Sequence, residues 1–136
     1  MSIDRYLTPY KWGKPVLTGS GVKGAFDENA VDCPFVFRHR DRFFMMYVGF
    51  NGVGYQTALA VSDDLLRWEP YGVILQRDES RSSWDSRNVA GTWILRENDL
   101  YGPPLLKKWD GKYWLAYHSY PGDGYETGPA KIGLAW

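Results

Sequence analysis

The carboxylates of this 136-residue chain sort into two kinds by their spacing. Asp27 follows Phe26, and Asp85 follows Trp84 in the same setting 58 positions later. Asp32 has no such twin, because the residue 58 positions on is Ala90 and the one 70 positions on is Gly102. An acid that recurs at one place in a repeated unit is demanded by the unit's architecture, and an Asx-type turn closing a loop would use Asp27 and Asp85 in that way. An acid that does not recur is available for moving a proton or attacking an electrophile. Asp32 is therefore the leading candidate for chemistry, set against the plainer role of a strand-opening acid satisfied by backbone amides.

Other chemical signals are weaker. Gly19-Ser20-Gly21-Val22-Lys23-Gly24 fits the glycine spacing of a dinucleotide-binding turn. A helix must follow such a turn, and residues 25–34 read as turn and strand instead, so no nucleotide or other cofactor is expected. His39 falls in a hairpin turn, and His118 stands where the earlier copy has Val48, at a strand end facing the presumed cavity. Two histidines so far apart are no metal signature, and no metal is expected. Cys33 reads as a buried small hydrophobe.

These residues are positioned by a sequence block that occurs twice. Val16, Leu17, Phe26, Asp27 and Val31 match Ile74, Leu75, Trp84, Asp85 and Val89 at a gapless shift of 58. Pro34, Tyr47, Gly54, Tyr55 and Thr57 match Pro104, Tyr117, Gly124, Tyr125 and Thr127 at a shift of 70, so 12 residues enter the second copy near residues 93–103. Leu59-Ala60-Val61 matches Leu134-Ala135-Trp136 at a shift of 75. Repeats of this length mark solenoids, propellers or arrays, since one unit cannot bury its apolar face alone.

Each copy reads as strands. Aromatic runs at residues 43–48 and 113–117 follow turn signals at Arg40-Asp41-Arg42 and Asp110-Gly111-Lys112, which predicts hairpins. Residues 34–37 and 104–106 are the expected preceding strands, 56–61 and 131–136 the following ones, and 73–75 a fourth. Proline and glycine interrupt every window long enough for a helix. Only residues 62–68 offer a helical turn, with Ser62 as N-cap and two acids behind it. Four short antiparallel strands per unit make a propeller blade.

Composition narrows the partners. Sixteen basic and sixteen acidic residues cancel without a basic block, which disfavours nucleic acid and anionic membrane. No apolar run is long enough to span a bilayer. One cysteine and no secretory signal pattern suggest a soluble, reducing, cytoplasmic setting. Aromatics at 17% point to packed sheets and sugar-stacking surfaces. Trp84, Trp93, Tyr120 and Tyr125, in or beside the loops near the presumed cavity, present faces suited to the C–H groups of a sugar ring.

The strings Pro15-Val16-Leu17, residues 26–37, Tyr47-Val48-Gly49-Phe50 and residues 54–68 together resemble the opening blade of the five-bladed β-propeller glycosidases. That superfamily includes glycoside hydrolase families 43, 32, 68, 117 and 130. The most specific piece is the A-x-S-x-D-L-x-x-W run at residues 60–68, which speaks to fold. The resemblance covers nearly this whole chain but only the amino-terminal part of such a domain.

It implies that Asp32, two residues before Pro34, faces the central cavity as nucleophile or general base. Cleaving a glycosidic bond takes one carboxyl for that step and a second to protonate the leaving oxygen. The second copy departs from the pattern, with Tyr101-Gly102-Pro103-Pro104 where another aspartate is expected. Asp85 or Asp99 is then the candidate second acid, with Arg87 or Arg96 as the cation that holds it ionised. The implied site is Asp32 and Asp85 for catalysis, with Trp84, Arg87, Trp93, His118 and Tyr120 for the substrate.

The resulting expectation is one all-β partial β-propeller domain over residues 1–136, with one blade at about 26–75 and an incomplete one at about 84–136. The implied activity is hydrolysis of an α-arabinoside, β-xyloside or β-fructoside. The alternatives are a phosphorylase of the family 130 kind and a non-catalytic carbohydrate-binding fragment. The expected partners are a carbohydrate and either further copies of the chain or a protein carrying the missing blades, because two blades leave apolar faces uncovered.

Overall fold

The computed structural model describes residue 7, residues 9–80 and residues 82–136. Among these there are seven strands and no α-helix. Strands β1 (Ala30–His39), β2 (Arg42–Phe50), β3 (Tyr55–Ser62) and β4 (Glu69–Leu75) form an antiparallel meander in chain order. Strands β5 (Ala90–Ile94), β6 (Leu115–Ser119) and β7 (Lys131–Ala135) form a second antiparallel sheet, again in chain order.

Alternation along β1 and β2 sends Phe37 and Met46 to one face, where they meet Val89, Ile94, Leu115 and Tyr117 of the second sheet. This is the core between the sheets, and each large side chain so buried contributes about 2 kcal/mol. The opposite face of the first sheet buries Tyr47, Ala58 and Ala60 under Leu17, Phe26 and Trp68.

Hydrogen bonds lock the sheets where β5 meets β3. Thr57 is 0% exposed, and its hydroxyl accepts from the Gly91 amide and donates to the Val89 carbonyl, both at 2.7 Å. Those backbone groups lie on the open edge of β5, so one side chain satisfies two groups that burial would otherwise leave without partners. The Val89 amide donates to the Tyr55 carbonyl at 3.0 Å, and the Tyr55 amide donates to Asn88 Oδ1 at 2.9 Å. A Cβ on Gly54 would collide with the Arg87 carbonyl, so this approach requires glycine.

Several expectations change. The strand that precedes the second hairpin is β5 at Ala90–Ile94, and residues 104–106 belong to the insertion. The Pro104 carbonyl accepts from the Arg38 amide and the Leu106 amide donates to the Arg38 carbonyl, both at 2.8 Å, while the Glu97 amide donates to the Leu105 carbonyl at 2.8 Å. The insertion thus spans from the end of β1 to the segment after β5, and Pro104, lacking an amide hydrogen, serves only as acceptor.

The Gly-Tyr-x-Thr recurrence is one of sequence, not of position. Val48 faces Thr57 across β2 and β3, but its equivalent His118 faces Ile132, because five extra residues precede β7. Gly124–Thr127 lies instead in the loop before β7. Residues 62–68 form a hydrogen-bonded turn in which Ser62 Oγ accepts from the Asp64 and Leu65 amides, and a φ of 65° at Leu65 ends it before a helix can form. The glycines at 19–24 sit in a turn leading into β1, held by amides of Ser20 and Gly21 on the carbonyls of Asp27 and Glu28.

Candidate functional site

The start of β1, the turn between β2 and β3, and the end of β6 fall at one end of the two sheets. Asp32 lies there, exposed, at an irregularity in the β1–β2 pairing between Asp32 and Phe35. Its Oδ1 accepts from the Cys33 amide at 2.6 Å, and Cys33 takes a φ of 50°. The bulge re-aims the side chains at the head of β1, as bulges beside functional sites commonly do. Burial first, and then the charges of Asp32 and Glu126, raise the Cys33 thiol above its ordinary range, so it is no ready nucleophile.

Tyr55 forms the floor of this region. It is 3% exposed, with its ring centroid 5.4 Å from Phe50, 6.1 Å from Tyr125 and 6.4 Å from His118. His118 in turn meets Tyr120 edge to face at 5.5 Å. Burial drives the Tyr55 hydroxyl strongly upward, reinforced by Tyr125, Glu126 and Asp32. The Tyr120 hydroxyl is raised by desolvation, then by Glu126 and Tyr125. One region therefore holds two carboxylates, three phenols and an imidazole, a set able to accept and donate hydrogen bonds to sugar hydroxyls and to stack on a ring.

The loop that brings Tyr125 and Glu126 here is tied down at several points. Asn88, 0% exposed, donates to the carbonyls of Tyr120 at 2.9 Å and Gly122 at 3.2 Å while accepting from Tyr55. The Gly124 amide donates to the Val53 carbonyl at 2.8 Å. Arg87 bridges Glu79 at 2.9 Å and Asp123 at 3.1 Å, and Arg77 joins the same Glu79 at 2.9 Å.

Of the site residues read from sequence, the structure brings together Asp32, His118 and Tyr120. Arg87 sits in the ion network that holds the loop. Trp84 stacks on Tyr117 at 5.6 Å and 9° within the inter-sheet core, and Asp85 Oδ2 accepts from the Tyr117 hydroxyl at 2.8 Å while Oδ1 accepts from Ser83 at 2.6 Å. Trp93 pairs with Ala116 farther along β5 and is half-buried. Asp99 lies in the insertion, where it accepts from the Tyr101 amide.

The sequence reading missed Tyr55, Asn88 and Glu126. Tyr55 recurs in the repeat as Tyr125, so its spacing did not set it apart, Glu126 lies in a loop with no motif behind it, and nothing beside Asn88 marks it. Among the described residues no group of three or more His, Cys, Asp or Glu is arranged to hold a metal, and no helix is long and apolar enough to cross a membrane.

No family model matches the chain, and no curated protein matches it. Solved structures do. One described as a glycoside hydrolase is 34% identical with a TM-score of 0.68, covering 76% of this chain and 31% of its own. Another, described as a BT0996 RGII complex, is 31% identical with a TM-score of 0.70, covering 88% of this chain and 36% of its own. The protein thus spans about a third of the length of each. The fold is all-β and glycoside hydrolase-like.

Proposed function

We propose that the two sheets are neighbouring blades of a β-propeller and that the cluster at their shared end binds a glycan as part of a glycoside hydrolase site. The single observation behind this reading is that Asp32, an acid the repeat does not reproduce, stands at the irregular start of β1, at the end of the sheets where Tyr55 meets His118 and Tyr125. Asp32 is the nucleophile or general base, and Glu126 is the second carboxyl of the region. His118 and Tyr120 contact the sugar. Arg87 acts through the loop it holds, and Asp85 with Trp84 serves the core beneath. The similarity to a structure described as a glycoside hydrolase supports the substrate class.

The test is turnover of nitrophenyl α-arabinofuranoside, β-xylopyranoside and β-fructofuranoside, with and without phosphate. Nitrophenolate leaves without much help from a general acid, so these substrates isolate the contribution of Asp32. Hydrolysis that Asp32→Asn abolishes supports the reading. Turnover only with phosphate would favour a phosphorylase, and sugar binding without turnover would favour a binding fragment.

A further inference from the structure

The segment that carries Tyr120, Tyr125 and Glu126 to the end of the sheets where Asp32 lies is closed on itself. The Gly122 amide donates to the Thr127 carbonyl at 3.0 Å, and a Cβ on Gly122 would stand 2.6 Å from the Thr127 methyl, so the two sides of the neck meet too closely for any other residue. At the tip Tyr125 lies edge-on to Phe50 and Tyr55, and Glu126 takes a φ of 51°. A left-handed setting at a residue other than glycine costs energy and persists only where its surroundings hold it. A compact loop of this kind is placed as one piece, and its place over the sheet ends is set by what its neck rests on.

The neck rests on Asn88. That side chain is 0% exposed, and every hydrogen-bonding group of its carboxamide is engaged. Oδ1 accepts from the Tyr55 amide, while Nδ2 donates to the carbonyls of Tyr120 and Gly122. One acceptor and two donors on so short a stem is a set that asparagine alone offers. Aspartate would turn a charge toward two carbonyls, and glutamine would carry the amide one carbon too far. The next residue, Val89, donates its amide to the Tyr55 carbonyl, so consecutive residues grip the backbone of Tyr55 at both its groups. One buried carboxamide thus joins the floor of the site to the loop beside it.

We propose that Asn88 is a positioning residue of the site: it fixes where Tyr120 and Glu126 stand relative to Asp32 and Tyr55, and touches no sugar itself. This rests on the glycan reading above. Buried amides that satisfy several backbone groups at once act by holding one geometry among several, and here the geometry held is that of the two carboxylates and the phenols.

The test compares wild type, Asn88→Ala and Thr57→Val by nuclear magnetic resonance, before and during titration with methyl α-arabinofuranoside and methyl β-xylopyranoside. Both variants strip hydrogen bonds from buried backbone groups, but only Asn88→Ala releases the loop. It should displace the amide signals of Tyr120, Gly122, Gly124 and Glu126 and weaken sugar binding at least about 10-fold. Thr57→Val, though less stable, should leave the loop signals and the affinity as in wild type. Loop signals unmoved in Asn88→Ala, equal displacement in Thr57→Val, or displaced signals with unchanged affinity would overturn the proposal. Wild type that binds neither sugar would defeat the glycan reading instead, and the loop signals alone would then judge Asn88. Should Asn88→Ala fail to fold, hydrogen exchange of the wild-type chain decides: the Asn88 carboxamide should share the protection of the Gly122 and Gly124 amides, and a carboxamide that stays protected while those amides exchange freely would overturn the proposal.

Discussion

Asp27 and Asp85, set against Asp32, show how one repeat separates architecture from chemistry. Asp27 is 9% exposed, accepts from Ser20 at 2.8 Å and lies near Tyr47. Asp85 accepts from Ser83 and from Tyr117, the residue equivalent to Tyr47. Phe26 meets Tyr47 at 6.0 Å as Trp84 meets Tyr117 at 5.6 Å. An aromatic, an aspartate and a tyrosine thus recur as one packing device in both copies, and each aspartate takes a serine hydroxyl from a position the repeat does not share. Asp32 belongs to no such device, and its neighbourhood is built from loops that differ between the copies.

The contrast is sharpened most by Asp32→Asn. On a nitrophenyl substrate kcat/KM should fall on the order of 10³-fold, with the urea midpoint unchanged because the side chain is exposed. Equal loss of stability would make Asp32 another architectural acid.

Next in size is Thr57→Val, which strips the hydroxyl from the Val89 carbonyl and Gly91 amide at the junction of the sheets. Leaving two buried backbone groups unsatisfied should cost about 3 kcal/mol in urea unfolding. A cost below about 0.5 kcal/mol would mean that the sheets are not locked there.

The two copies of the packing device should differ as well. Tyr117→Phe removes a hydrogen bond to a carboxylate and should cost about 2 kcal/mol, whereas Tyr47→Phe should cost under about 1 kcal/mol. Equal costs in parallel urea titrations would erase that distinction.

Alkali offers a finer probe. The Tyr47 hydroxyl is pushed up from 10.0 to about 12 by burial first and Asp27 second. The folded state therefore holds this proton more tightly than the unfolded polypeptide does. The stability this supplies is complete below pH 10 and is lost as pH rises toward 12. Tyr47→Phe should flatten part of that decline in urea midpoints measured from pH 9 upward.

The smallest effect belongs to the loop's ion pair. Asp123→Asn breaks the Arg87 contact between partly exposed groups, and should change stability by less than about 0.5 kcal/mol.

Much of the strand order was legible because a tandem repeat states its own spacing: β1, β2, β3 and β7 fall within or around the expected segments. The head of the second sheet was not legible. Proline before a hydrophobic pair at residues 104–106 imitates Pro34, and only tertiary pairing reveals that Ala90–Ile94 is the first strand of the second sheet. The five residues added before β7 in the second copy likewise turned a strand motif into a loop, which carries Glu126 to the site. Asn88 works through three bonds to two distant segments, the start of β3 and the loop after β6, and one-dimensional spacing carries no trace of such bonds. Asp32 was legible because it breaks the repeat.

The central claim is that the glycan sits at the shared strand ends beside Asp32. Nuclear magnetic resonance titration with methyl α-arabinofuranoside and methyl β-xylopyranoside tests it directly, because amide and aromatic shifts locate the ligand without requiring turnover. The account predicts saturable shifts at Asp32, Tyr55, His118, Tyr120 and Glu126, with Trp84 and Asp85 unmoved. Shifts centred on Trp84, or in the apolar cleft of about 430 Å³ between Phe44, Tyr71 and Trp136, would contradict it.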